Sequence, residues 1–338
     1  MTVLRIAIVG YGRMGRRHAA TIARLPHVEI RAIVDPVVRS SDPHDLPIRE
    51  LDAVLEDPSI DAAIVASSTD AHARLIDRLI AAGKPTFCEK PLAASTTDAE
   101  QLVAAASDAG VPLTVGFNRR FDPDVAELRQ RIAEGEVGRV ESLHFISHDA
   151  TPPSADYAAA SGGLFHDMSI HDFDLARFLT GGEVAQVSAF AGRSSDAAPA
   201  TEVDVAVTTL LMDDDTIVQI NNSRHCAAGY DQRIEAFGSR GSLAMASRPT
   251  SAVRVANEAG FRYGPLSPGF LQRYDTAYGI EIEAWVRSVR EQAEPWPSGW
   301  DALEASRVAD AAAACAATRT TTTPSRPDRR ESPRAPVH

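Results

Sequence analysis

The stretch Leu4-Arg5-Ile6-Ala7-Ile8-Val9-Gly10-Tyr11-Gly12-Arg13-Met14-Gly15 decides the fold of the N-terminal part of the chain. Leu4 to Val9 is an apolar run rich in β-branched residues, the composition of a strand buried on both faces. Gly10, Gly12 and Gly15 follow in G-x-G-x-x-G spacing, and a helical pattern continues to about Leu25. The first glycine permits a tight turn, the second lets the backbone approach a pyrophosphate, and the third lets helix and strand pack closely. The helix N-terminus then offers free N–H groups and the positive end of a dipole to phosphates. Val28 to Val34 reads as a second strand ending at Asp35, 20 residues after Gly15. A carboxylate there accepts hydrogen bonds from ribose hydroxyls and repels a 2′-phosphate, favouring NAD over NADP. Without a bound ligand the same residues make a glycine-rich turn; strand, helix and acidic residue together predict a dinucleotide site.

Working outward, strands at Ile60 to Ala66, Pro85 to Cys88 and Val111 to Phe117 alternate with helices at Ala71 to Ala82 and before Gly110, the latter carrying a Thr97/Glu100 capping box. Such alternation predicts a doubly wound parallel sheet over residues 1–118. Beyond Arg119 the pattern changes. A helix over Pro123 to Glu134 and a long strand over Val140 to Ser147 lead to a helix over about Leu164 to Leu179. Consecutive strands near 184–192, 203–212, 215–222 and 231–237 then predict a second, α+β domain over 119–318, with a large open, mostly antiparallel sheet. Two helices near 277–292 and 302–317 close it. The segment 319–338 is Thr, Pro and Arg with almost no apolar residue, a composition expected to be disordered.

Bulk properties narrow the function. A chain of 338 residues is long enough for two cores. A net charge of -12 argues against a nucleic-acid partner, which needs clustered positive charge. Cys88, Cys226 and Cys315 form no CxxC pair, so neither a disulfide framework nor a metal site is expected. The N-terminus lacks a basic n-region, and no stretch has the apolar length of a membrane helix, which predicts a cytoplasmic protein.

Two further segments carry chemistry. Cys88-Glu89-Lys90-Pro91 ends the fourth strand, where open α/β sheets bind ligands. Pro91 keeps Lys90 out of helical geometry and is a candidate cis proline. A lysine fixed there can donate to a substrate oxygen; a solvated lysine at a loop edge is the plainer alternative. Gly162 to Asp174 is dense in ionisable groups, and on a helix Asp167 and His171 stand i and i+4 on one face, with Asp174 further along the stripe. A histidine there can take a proton from an alcohol while a carboxylate orients it. An exposed ion pair and a metal site including His166 and Asp172 are the alternatives.

These segments resemble the Gfo/Idh/MocA oxidoreductase family. The likeness is carried by Gly10-x-Gly12-x-x-Gly15-x-x-His18, Glu89-Lys90-Pro91-Leu92, Gly116-Phe117-Asn118-Arg119-Arg120-Phe121, and Gly162-Gly163 followed by Asp167-x-x-x-His171-Asp172. Within the family the chain is most similar to inositol 2-dehydrogenases, through Ser147-His148-Asp149-Ala150-Thr151-Pro152-Pro153 and Gly229-Tyr230-Asp231-Gln232-Arg233-Ile234-Glu235-Ala236-Phe237-Gly238. The resemblance implies a Rossmann domain, a second domain whose sheet forms a homo-dimer or tetramer, and a Lys90, Asp167 and His171 triad. It implies that Arg120, His148 and Tyr230 line a polyol site together with that triad, and Asp174, on the same helical stripe as Asp167 and His171, is added to that site. The candidate cofactor set is Gly10, Tyr11, Gly12, Arg13, Met14, Gly15, Asp35, Ser67, Glu89 and Lys90. The expected activity is NAD-dependent oxidation of a cyclic polyol, myo-inositol first. A sugar dehydrogenase, a non-catalytic NAD-binding regulator and a metal hydrolase are the competing readings. One departure stands out: residues 36–50 are rich in Pro and Asp where relatives have a full helix.

Overall fold

The computed structural model describes residues 3–38, 46–194 and 203–318, apart from the side chains of 159 and 160. The expectation for 319–338 lies outside the described residues. Contacts divide the described chain into two units, one running to Asn118 and including Tyr278–Ser306, the other comprising Arg119–Ala277 and residues 307–318. Placing 278–306 with the first unit corrects the expected boundary. Ile282, Trp285 and Val286 of the helix Asp275–Glu291 are buried with Ile6, Ile8 and Phe87, and Trp285 meets the Phe87 ring at 5.8 Å. A long-range apolar contact of this kind leaves no mark in local periodicity.

In the first unit β1 (Leu4–Val9), β2 (Val28–Val34), β3 (Ala62–Val65), β4 (Thr86–Glu89) and β5 (Leu113–Gly116) form a parallel sheet in the order β2-β1-β3-β4-β5. α1 (Arg13–Ile22), α2 (Leu51–Leu55), α3 (Thr69–Ala81) and α4 (Thr96–Ala109) punctuate the strands. The chain leaves β1 for β2 on one side and returns to β3 on the other. The glycine turn therefore sits at a topological switch point, where such sheets bind ligands. The cap of α4 is Ser95, which accepts from Asp98 N, and not Thr97. Two cap-like patterns stand two residues apart, and the helix begins at the earlier one. Within 36–50, the described part returns to the sheet: Ile33 N donates to Pro47 O and Arg49 N to Ile33 O, both at 2.8 Å. An extended segment thus covers the outer edge of β2, which would otherwise present unpaired backbone groups.

In the second unit, α5 (Pro123–Ala133), β6 (Val140–His148), α6 (Ala155–Ala160) and α7 (Ile170–Thr180) precede β7 (Val184–Gly192), β8 (Val205–Met212), β9 (Ile217–Ser223), β10 (Asp231–Gly238) and β11 (Gly241–Met245). The sheet order among the described residues is β11-β10-β6-β9-β8-β7. Its neighbours are antiparallel except β6 and β9, which run parallel. β11 and a small hairpin of Val255–Asn257 with Gly260–Arg262 went unanticipated, being short and largely exposed. One face of the sheet supplies Leu143, Phe145, Val218, Ile220, Ile234 and Ala236 to a core shared with Phe173 and Leu179 of α7. α7 is entered through a π-helical turn, Phe165–Ser169, where the sequence predicted a regular helix from Leu164.

Candidate active site

The glycine turn shows why each glycine is required. Gly10 has φ +94°, and a Cβ on it would meet Ser67 N at 2.5 Å. A Cβ on Gly15 would lie 2.0 Å from Gly10 O, so the helix and the turn touch through backbone alone. Gly12, by contrast, opens onto free space and caps α1 without any side-chain hydrogen bond. No acidic residue occupies the first turn of α1. The positive end of its dipole therefore meets no acidic side chain within its own first turn, an arrangement suited to an anionic group.

Asp35 closes this turn. Its Oδ2 accepts from Tyr11 N at 2.7 Å, and Oδ1 accepts from Val37 N and Val38 N at 2.8 and 3.0 Å. Burial alone pushes the carboxyl up, but the N–H groups of Tyr11, Val37 and Val38, with Arg16 nearby, hold it below the usual carboxylate range. Asp35 is thus an anion at neutral pH, with lone pairs remaining for hydroxyl donors. Arg13 is exposed, Met14 and Ser67 are half-buried, and Tyr11 is buried with Arg16 over its ring.

Lys90 is half-buried at the end of β4, and the Lys90-Pro91 bond is cis. Two histidines hold this region. His18 Nε2 meets Glu89 Oε1 at 2.7 Å, tying α1 to the end of β4. His72, buried on α3, places Nδ1 2.9 Å from Pro91 O and Nε2 3.2 Å from Ser67 O, joining the loops after β3 and β4. Burial pushes the His72 imidazole below its ordinary pKa, against the pull of those carbonyls and of Glu89 and Asp70.

In the second unit Asp167 lies in the π turn and His171 in the first turn of α7, both half-buried. Asp167 Oδ1 accepts from Tyr157 Oη at 2.9 Å, and Oδ2 from the buried Arg224 at 3.1 Å. The other stripe residues diverge. His166 meets Asp310 at 2.8 Å; Asp172 is 1% exposed and accepts from Arg119 and Asn222, each at 2.7 Å. Burial pushes the Asp172 carboxyl above its ordinary range, opposed by Arg119, Asn222 and Ser147. Arg120 forms a bidentate pair with Asp174 at 2.8 and 2.6 Å, both buried. Tyr230 is also buried; its Oη accepts from Arg119 at 3.3 Å and its ring stands edge-on to Tyr274. His148, at the end of β6, stays half-buried, with Nε2 2.8 Å from Asn221 Oδ1.

Residues 4–117 match the profile described as an oxidoreductase family with an NAD-binding Rossmann fold, and 125–244 match the GFO/IDH/MocA C-terminal domain. An inositol 2-dehydrogenase of Rhizobium meliloti (strain 1021) is 37% identical over 319 residues, covering 92% of this chain and 96% of that protein. The chain belongs to the Gfo/Idh/MocA oxidoreductase family. The crystal structure of a myo-inositol dehydrogenase from Corynebacterium glutamicum superposes with TM-score 0.90 at 35% identity, covering 96% of this chain and all of that one. A scyllo-inositol dehydrogenase from Lactobacillus casei, solved with NAD(H) and scyllo-inositol, gives TM-score 0.84 at 27% identity, covering 95% and 99%.

Membership accounts for the first unit's chemistry. The open space at Gly12, the uncapped helix and the ionised Asp35 fit the pyrophosphate and ribose of NAD. Sequence reasoning missed several polar residues that the Gfo/Idh/MocA fold brings together here: Tyr157 and Arg224 on Asp167, and Arg119 with Asn222 on Asp172. The one signal available was Asn222, a polar residue fully buried in a strand. Among the described residues no helix is long and apolar enough to cross a membrane.

Proposed function

We propose that this chain oxidises a secondary alcohol of an unphosphorylated cyclic polyol to a ketone with NAD, and that myo-inositol, oxidised at carbon 2, is the first substrate to try. The observation that carries this reading is the half-buried Asp167 and His171, backed by Arg224, in a relative of inositol dehydrogenases. When bound, NAD supplies the hydride acceptor. Lys90 donates a hydrogen bond to the reacting oxygen and stabilises the charge that develops there. His171 takes the hydroxyl proton, and Asp167, fixed by Arg224 and Tyr157, stabilises the resulting imidazolium. His148 touches the polyol. Arg120 and Asp174, paired with each other, and the buried Tyr230 line the polyol site as hydrogen-bonding groups and not as free charges. A site of strong hydrogen-bonding groups suits a ligand covered in hydroxyls and rejects an apolar alcohol, which would leave those groups unpaired.

The test is kcat/KM with NAD across myo-inositol, scyllo-inositol, glucose, galactose and xylose. An inositol is expected to lead. An aldose ahead by tenfold or more, about 1.4 kcal/mol in transition-state binding, replaces this reading with a sugar dehydrogenase. No turnover of any polyol, with NAD bound, leaves a regulator.

Asp35 sets the cofactor choice in this proposal. Asp35→Ser is expected to raise KM for NAD about tenfold or more, the loss of one charge-assisted hydrogen bond of about 1.5–3 kcal/mol, and to relax discrimination against NADP. Equal use of NADP by the unaltered enzyme removes the ribose role from Asp35. The same proposal places the enzyme in the cytoplasm as a homo-oligomer. Phe190, Val207, Ile217 and Phe237 lie exposed on the sheet face opposite the core, which a second copy would cover.

A further inference from the structure

We propose that His148, Cys226 and Asp231 form a binding site for a thiophilic divalent cation, Zn2+ by its ligand chemistry, and that such a cation inhibits turnover by withdrawing His148 from the polyol. The ligand atoms of the three residues lie within 4.8 Å of one another, the one such group of His, Cys and acidic residues among the described residues. Strand register creates it. His148 of β6 is the antiparallel partner of Asp231 of β10, and such cross-strand pairs stand side by side. The loop joining β9 to β10 brings Cys226 to the same place.

The surroundings suit a metal. His148 Nε2 donates to Asn221 Oδ1, which leaves Nδ1 with the lone pair and fixes the ring, as outer partners of metal-bound histidines do. Asp231 Oδ2 accepts one hydrogen bond, from an Arg233 whose side chain is 52% exposed, so a ligand position remains. Cys88 and Cys315 are buried, whereas Cys226 is half-exposed and open to an entering ion. One sulfur, one imidazole and one carboxylate favour Zn2+ over Mg2+ or Ca2+, which take oxygen ligands. Tetrahedral Zn2+ sets its ligand atoms roughly 3.5 Å apart, so side-chain rotations of about an ångström close the site, with water as fourth ligand. Binding releases the thiol proton to solvent.

The inhibitory clause rests on the role proposed above for His148; the binding clause does not. Tag-free full-length protein is titrated with Zn2+ by calorimetry, and with Co2+ by absorbance. One ion per chain is expected, with a thiolate-to-cobalt charge-transfer band in the near ultraviolet. Cys226→Ser and His148→Ala are each expected to weaken Zn2+ binding tenfold or more, and Cys226→Ser to abolish the band. His225→Ala, altering a neighbouring exposed histidine, is expected to leave affinity within threefold. Absence of the sulfur band, or unchanged affinity in Cys226→Ser, overturns the site. In turnover assays Zn2+ is expected to raise KM for the polyol in the unaltered enzyme, while Cys226→Ser keeps metal-free activity and resists the ion. Tight binding at this site without inhibition refutes the inhibitory clause alone.

Discussion

His171→Ala is expected to lower kcat by about 10²–10⁴, the range for loss of a general base, while NAD affinity stays near that of the unaltered protein. The reason lies in the proton inventory. Alcohol oxidation releases one proton as well as a hydride, and an imidazole with an ordinary pKa near 6.5 is the side chain suited to take it at neutral pH. The neighbouring ionisable groups have other partners: Asp172 is held by Arg119 and Asn222, and Asp174 by Arg120. Asp167 faces Arg224 and Tyr157. A carboxylate so paired is a poor base, and the proposal therefore gives the proton to His171. The acidic limb of the kcat/KM–pH profile is expected to vanish in His171→Ala. Asp167→Asn is expected to retain that limb at reduced rate, because it removes the stabiliser and leaves the base. Near-normal turnover in His171→Ala would assign the proton to another group.

Asp172→Ala is expected to destabilise the protein by about 3–5 kcal/mol, the cost of leaving a buried partner charge uncompensated. Arg119 and Asp172 are 5% and 1% exposed at their side chains, and Arg119 also donates to Ser147 and Tyr230. Removing the carboxylate strands both the guanidinium and the Asn222 amide. For a unit of this size the melting temperature should fall by on the order of 10 °C. The double variant Arg119→Met with Asp172→Leu is expected to regain most of the loss, since apolar replacement of a buried pair is often neutral. A calorimetric shift below about 1 kcal/mol in Asp172→Ala would show that water reaches the pair.

The legible parts of this chain share one property: their partners are near in sequence. Gly10, Gly12, Gly15 and Asp35 act within one βαβ unit, and the Gly110 turn follows directly on its helix. The illegible parts join distant residues. Arg119 to Asp172, Arg120 to Asp174 and Arg224 to Asp167 span 53, 54 and 57 positions. Nothing in the neighbourhood of Arg120 in the sequence names Asp174 as its partner, and only that pairing makes it an internal brace. Residues 278–306 failed for the same reason, their apolar stripe naming no partner. The π turn was illegible differently: i and i+4 spacing serves a regular and a widened turn alike.

That widened turn has an evolutionary consequence. Each residue of a regular helix rotates the chain by about 100°, so the Phe165–Ser169 turn works as an insertion accommodated without a loop. Loss of one residue there would close the turn to a regular one and leave Phe173 and Leu179 facing the core. The cost would fall inside the turn, on Asp167 and its contacts with Arg224 and Tyr157. Descendants of this gene that drop a letter between Phe165 and Ser169 should therefore keep their fold and lose their hold on that carboxylate.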